Sequence, residues 1–212
     1  MIHIHQLKRL LLGLEDRYFD WVNNIDTSPI VSGDELYSQL QDNARVYHGA
    51  WCRAMRQLFA EARRLGVYPR IFVDIGCGKG KACFYAARYS GFERIIGIDF
   101  DSFLIKIAQR NLEKFGMPAH AGNAQITFEH KDATEYLLPE EQSFVFLFNP
   151  FDDQALRLFL KNNLESFQKN AHVIGYSNDV HRIVIEQMGF RKLYRDDARK
   201  MSLWQWGRPS LS

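Results

Sequence analysis

Five short stretches hold the residues whose types and spacing can do chemistry. Glycine recurs at 76, 78 and 80, directly after the run Arg70-Ile-Phe-Val-Asp-Ile75. Without Cβ atoms, such a turn reaches positive φ and lets a small polar ligand lie against backbone N–H groups, and the N-terminus of a following helix favours an anionic group nearby. Asp99, 21 positions beyond Gly78, ends the run Arg94-Ile-Ile-Gly-Ile and is placed to accept hydrogen bonds from both hydroxyls of a ribose. Asp132 follows Gln125–Lys131; an ionised carboxylate accepts without donating, so it suits an amine and rejects a carbonyl. Asn149-Pro150-Phe151 closes the apolar run Ser143–Phe148, where an α/β sheet offers its ligand crevice, and His181 is the one histidine suited to accept a proton at neutral pH.

The glycine spacing separates ligand classes. A dinucleotide fingerprint G-x-G-x-x-G needs a small residue at 81, where Lys81 stands, and the phosphate loop G-x-x-x-x-G-K-[ST] does not fit either. Nicotinamide-dependent oxidation is therefore disfavoured. The pattern that fits is D-x-G-x-G-x-G, from Asp74 to Gly80.

Asp-Ile-Gly-Cys-Gly-Lys-Gly, Ile-Asp-Phe, Lys-Asp-Ala and Phe-Asn-Pro-Phe together resemble the motifs of class I S-adenosylmethionine-dependent methyltransferases, and are most similar to small, mostly uncharacterised bacterial members. The resemblance covers residues 70–206 and, more loosely, the N-terminal part. It implies a Rossmann-like α/β fold with a seven-stranded, mainly parallel sheet, an antiparallel last strand and an N-terminal helical arm. It also implies S-adenosyl-L-methionine as cofactor, with Asp74, Gly76 and Gly78 at its methionine end, Asp99 at the ribose, and Asp132 with the backbone N–H of Ala133 at the adenine. Phe100 is a candidate ring wall for the adenine, or else a core aromatic. Asn149 and Phe151 resemble the [D/N]-P-P-[F/Y/W] motif of amino-methylating enzymes, in which the side chain holds a target nitrogen and the ring packs on a planar acceptor, but the second proline is missing. A plain Asn-Pro turn is the alternative, as are a loop-entry aspartate for Asp132 and a helix-start histidine for His181. Methyl transfer to a nitrogen or oxygen nucleophile is the function implied, with a small molecule or protein side chain favoured over nucleic acid as acceptor. A non-catalytic module that senses the cofactor, its arm docking a partner, is the competing class.

The elements that must position these residues alternate. From Arg70 onward, short apolar runs alternate with amphipathic stretches, which predicts βαβ units and a parallel sheet. Residues 190–195 and 200–206 predict a terminal hairpin. Residues 69–212 are read as the cofactor-binding domain and residues 1–68 as a helical arm or lid. In the arm, residues 6–22 predict one or two short helices broken at Gly13, with Leu10, Leu14, Tyr18 and Trp21 or Val22 at helical spacing. A second helix is expected from about Ala44, carrying Trp51, Met55, Leu58, Ala62 and Leu65 on one stripe. Its polar side carries Arg53, Arg56, Arg63 and Arg64, either a phosphate-facing patch or a solvated face interrupted by Glu61. Tyr47 and Asp26-Thr27 are the candidate lid contacts.

Composition narrows the field. A net charge of +2 over 212 residues carries no strongly basic nucleic-acid footprint. Three cysteines, Cys52, Cys77 and Cys83, lack C-x-x-C spacing, against both a disulfide framework and a zinc site, so no metal is expected. Nowhere do about 18 uninterrupted apolar residues occur, so a soluble, cytoplasmic protein is expected.

Overall fold

The computed structural model describes residues 4–28, 50–116 and 124–207, with side chains from Gly13 onward. Its seven strands are β1 (Ile71–Ile75), β2 (Arg94–Asp99), β3 (Gln125–His130), β4 (Ser143–Phe148), β5 (Val173–Ser177), β6 (Phe190–Asp196) and β7 (Met201–Trp206). They form one sheet in the order β3-β2-β1-β4-β5-β7-β6. The first five pair in parallel, and β7 runs antiparallel to both neighbours. The terminal hairpin is thus present, and its second strand is inserted inside the first: β7 joins the sheet and β6 becomes the edge.

The helices are α1 (Ile4–Asn23), α2 (Cys52–Arg64), α3 (Lys81–Tyr89), α4 (Ser102–Lys114), α5 (Asp153–Asn162), α6 (Leu164–Asn170) and α7 (Arg182–Gln187). Alternation along the strands divides them between two layers. On β1, Phe72 faces the cluster that takes in Met55 and Leu58 of α2, Phe84 of α3 and Ala108 of α4; Ile71, Val73 and Ile75 face Leu156, Phe167 and Ile185 of α5, α6 and α7. Both sheet faces are covered, which is why β1 and β4 read as nearly continuous apolar runs. Phe59 of α2 packs edge-on against Phe72, Phe92 and Phe144, binding the arm's second helix to the sheet. Of the expected α2 stripe, Met55, Leu58 and Ala62 are buried, and Trp51 and Leu65 at its ends are exposed. Residues 44–49 of that expected helix lie outside the described residues.

The first helix differs from expectation twice. Gly13 does not break it: the helix is continuous over 20 residues, and one glycine costs only about 1 kcal/mol against alanine. The apolar spacing also points the wrong way, since Leu14, Tyr18, Trp21 and Val22 are exposed and the buried side carries Phe19, Asp20 and Asn23. Polar partners on the body decide that face: Asn23 Oδ1 accepts from Arg88 of α3, and Lys81 lies beside Asp20.

Candidate functional site

The glycine turn is defined by its backbone. Gly76, Gly78 and Gly80 have φ of 77°, 53° and 87°, the left-handed region that residues with a Cβ rarely enter. The N–H groups of Gly76 and Cys77 both donate to the Ile98 carbonyl at 2.9 Å, tying the turn to the tip of β2. Gly76 is the glycine of the three that is exposed, and a Cβ built on it would meet Pro150 Cβ at 2.7 Å. The turn after β1 and the Asn149-Pro150 corner after β4 therefore touch.

Two buried carboxyls flank the turn. Asp74 lies on β1, in contact with the Cys83 thiol at 3.7 Å. Burial, then the neighbouring Asp99 carboxylate, push it up to about 8, against a weaker downward pull from Cys83. Asp99 accepts from Gly78 N–H at 2.8 Å and from Asp101 N–H at 2.9 Å. Burial raises Asp99 as well, and these two hydrogen bonds pull it back. Each of its oxygens keeps a second lone pair. Burial also pushes the Cys77 and Cys83 thiols well up, which makes them inert packing groups rather than nucleophiles.

Phe100, immediately after Asp99, exposes 59% of its surface and is no core aromatic. Its carbonyl bonds His130 Nε2 at 2.8 Å, and Lys131 N–H donates to the Asp99 carbonyl at 3.0 Å, so the tips of β2 and β3 are closed on each other. Asp132 follows, exposed, with Oδ1 accepting from the N–H and hydroxyl of Thr134, both at 2.8 Å. That geometry satisfies one oxygen and leaves the other for an amine; Ala133 beside it is half-buried.

Asn149 adopts φ 49°, a left-handed conformation that asparagine tolerates, and its Oδ1 accepts from the Tyr176 hydroxyl of β5 at 3.3 Å. Phe151 turns inward instead: it is 8% exposed and its ring lies 5.7 Å from that of Phe159 on α5, in the core. Asp152 caps α5, accepting from Ala155 N–H at 2.9 Å. His181, at the start of α7, pairs through Nδ1 with Asp153, which links the loops after β4 and β5. His172, which is buried, accepts from Ser143 N–H through Nδ1; burial lowers it to about 4, so it is a neutral structural group.

Sequence reading missed how the arm meets the glycine turn. Asp26 and Thr27 are described and Tyr47 is not. Thr27 is buried on Asp20, and Asp26 bonds Asn111 of α4, a residue that carries no recognisable motif. The signal available was two lysines, 79 and 81, inside a turn that must be buried. The arginines of α2 are mostly spoken for: Arg56 pairs with Glu15 at 2.9 Å, Arg64 with Glu61 at 2.7 Å, and Arg63 caps the Ser90 carbonyl at 2.9 Å. A cleft of about 400 Å³ between α1, α2 and α3 lies by Tyr85 and Tyr89, at the opposite end of α3 from the glycine turn.

A family profile described as a methyltransferase domain matches residues 72–175, from β1 through β5. Those residues, just under half of the chain, carry a methyltransferase domain, and S-adenosylmethionine is the cofactor that such a domain uses. The residues present fit that molecule: a turn with three left-handed glycines, of which Gly76 is exposed, a carboxylate at the tip of β2, an exposed ring beside it and an exposed carboxylate at the tip of β3. The methyltransferase also has the fold of solved structures. One, from Pyrococcus horikoshii and provisionally assigned as an RNA methyltransferase, matches with TM-score 0.55 and 19% identity over 82% of this chain and 94% of that one. The methyltransferase domain of the bacterial protein CtHen1 matches with TM-score 0.50 and 18% identity over 73% and 99%. The pyocyanin biosynthetic protein PhzM matches with TM-score 0.52 and 17% identity over 72% and 55%. No curated protein matches the chain in sequence. Among the described residues no helix is long and apolar enough to cross a membrane, and no group of three potential metal ligands occurs.

Proposed function

We propose that this methyltransferase alkylates a nitrogen or oxygen nucleophile of a small molecule or protein side chain, held at Asn149 and relieved of its proton by His181. The observation that carries this reading is the contact between Gly76 and Pro150, which sets Asn149 next to the turn assigned to the methionine end. The cofactor supplies an already activated methyl group on its sulfonium, so the protein's task is in-line positioning and proton removal. Gly76, Gly78 and Asp74 receive the methionine end, Asp99 the ribose, and Phe100, Asp132 and the Ala133 N–H the adenine. Asn149, steadied by Tyr176, offers an amide oxygen to an acceptor N–H or O–H. His181 Nδ1 is engaged by Asp153, which leaves Nε2 as the basic atom. Phe151, buried against Phe159, supports this corner from behind.

The acceptor class follows from charge. Asp132, Asp152 and Asp153 are exposed along the strand tips, a poor surface for a polyanion. The described part of the arm, residues 4–28 and 50–68, braces the cofactor end, and the domain read over residues 69–212 carries the chemistry. A reducing cytosol suits the three free cysteines, all buried.

The test uses S-adenosylmethionine labelled on its methyl group, incubated with cell extract. Label is expected in a fraction that resists nuclease; label released by ribonuclease overturns the acceptor class. Asn149→Ala is expected to reduce transfer by about 10- to 100-fold with the S-adenosylhomocysteine Kd within about twofold of the parent. Loss of both together overturns the assignment of Asn149 to the acceptor. His181→Gln is expected to reduce transfer by about 10- to 100-fold with the S-adenosylhomocysteine Kd within about twofold of the parent.

A further inference from the structure

The glycine turn contains two lysines whose side chains are almost wholly covered, Lys79 at 3% and Lys81 at 5% exposure. A buried ammonium is tolerated only when paired. Carboxylates of the arm stand beside both of them. Lys81 Nζ stands 3.6 Å from Asp20 Oδ1 and 3.9 Å from Asp16 Oδ1, and Lys79 Nζ stands 3.7 Å from Asp26 Oδ2. Asp16 and Asp20 are one helical turn apart on α1, on the side that faces the body.

Other hydrogen bonds fix the carboxylates in turn. Thr27 donates to Asp20 from its N–H at 2.9 Å and from its hydroxyl at 2.7 Å. Asn111 of α4 accepts from Asp26 N–H at 3.0 Å and donates through Nδ2 to the carbonyls of Asp26 at 2.9 Å and Lys79 at 3.1 Å. Asp16 also accepts from Cys52 N–H at 3.0 Å, which brings the start of α2 into the same network. The segment 16–28 is therefore joined to the cofactor turn by polar groups, and the apolar residues of α1 at 14, 18, 21 and 22 point the other way.

We propose that Asp16, Asp20 and Asp26 of the arm are positioning residues for the cofactor's amino-acid end, acting through Lys79 and Lys81 to hold the backbone of residues 76–80 in its ligand-ready conformation. The arm is then a brace behind the turn rather than a cover over it. This rests on the cofactor reading and goes beyond it. In that reading the turn itself carries the amino-acid end and reaches the ribose only through Asp99, so loosening it weakens ligands that possess that end more than those that lack it. It also balances charge, because two unpaired ammonium groups beneath the turn would oppose a ligand that carries an ammonium and a sulfonium.

Titration calorimetry with two probes tests this: S-adenosylhomocysteine, and 5′-methylthioadenosine, which keeps the adenosine and thioether but has no amino-acid tail. Asp20→Asn, which preserves an acceptor for Thr27, and Lys81→Met are each expected to weaken S-adenosylhomocysteine about tenfold and methylthioadenosine less than about twofold. The double variant is expected to lose no more than the worse single one, because the pair acts as a unit. Asp26→Asn, at an exposed carboxylate, carries no risk to folding and is expected to give the same pattern at about threefold. Hydrogen exchange at residues 76–80 is expected to speed up in all of them. Unchanged affinity for both probes, or equal loss of both, overturns the proposal. A parent protein that binds neither probe overturns the cofactor reading instead.

Discussion

The two halves of the strand-tip edge are built differently. At the tips of β1 and β2 the groups assigned to the cofactor are backbone and buried carboxyl: three left-handed glycines, Asp74 at 3% exposure and Asp99 at 6%, with hydrogen bonds that run back into the sheet. At the tips of β4 and β5 they are side chains on loops: Asn149 on Tyr176, His181 on Asp153, with exposed Asp152 and Val180 around them. The shape of the first half is set by the path of the chain itself. The second can be refitted by changing side chains without moving a strand.

The largest effect that would break this contrast is at Gly76. Alanine there must take φ 77° and place a methyl group 2.7 Å from Pro150, so Gly76→Ala is expected to weaken S-adenosylhomocysteine by more than about 100-fold while the protein still unfolds cooperatively, read by calorimetry and thermal melting. Asp99→Ala comes next. It removes the acceptor for two backbone N–H groups and the partner assigned to the ribose, so S-adenosylhomocysteine and methylthioadenosine should lose affinity together, by about 30- to 100-fold.

The third effect is one of pH. The Asp74 carboxyl, raised to about 8 from an ordinary 3.8, holds a proton in the native state that the unfolded chain has released over that window. Stability therefore falls as pH rises from about 4 to 8 and levels off above, and Asp74→Asn is expected to raise Tm more at pH 8 than at pH 5. An ammonium group brought beside Asp74 favours the ionised carboxyl. Binding of S-adenosylhomocysteine should then release close to one proton below pH 8 and tighten by up to about tenfold per pH unit, an increase that Asp74→Asn abolishes. The smallest effect is Phe100→Ala, expected to weaken methylthioadenosine about threefold by removing an exposed stacking surface.

The same contrast explains what could be read from the sequence. Glycines at 76, 78 and 80 and aspartates at strand ends are legible because backbone geometry admits few other residues, and the alternation of apolar runs is legible because both sheet faces are covered. The α4 and α5 caps, Asp101 and Asp152, are local devices of a similar kind: each accepts from N–H groups two or three residues ahead. The buried face of α1 was not. Its apolar residues follow helical spacing, yet the helix docks through Asp20 and Asn23 onto Lys81 and Arg88, residues some 60 positions away, and long-range charge pairing leaves no local pattern. Phe151 failed to present its ring for the same kind of reason: whether an aromatic after a strand faces ligand or core is settled by α5, which offers Phe159. The terminal hairpin was readable as a hairpin, but which of its strands would join β5 depends on the covering helices.

Pro150 already occupies the volume that any side chain at position 76 would require. The glycine turn and the Asn149-Pro150 corner consequently share a wall, and neither can be remodelled there without the other responding. Attempts to redirect this methyltransferase toward a new substrate belong farther out, around Asn149, Asp153 and His181, where the scaffold leaves side chains free to differ.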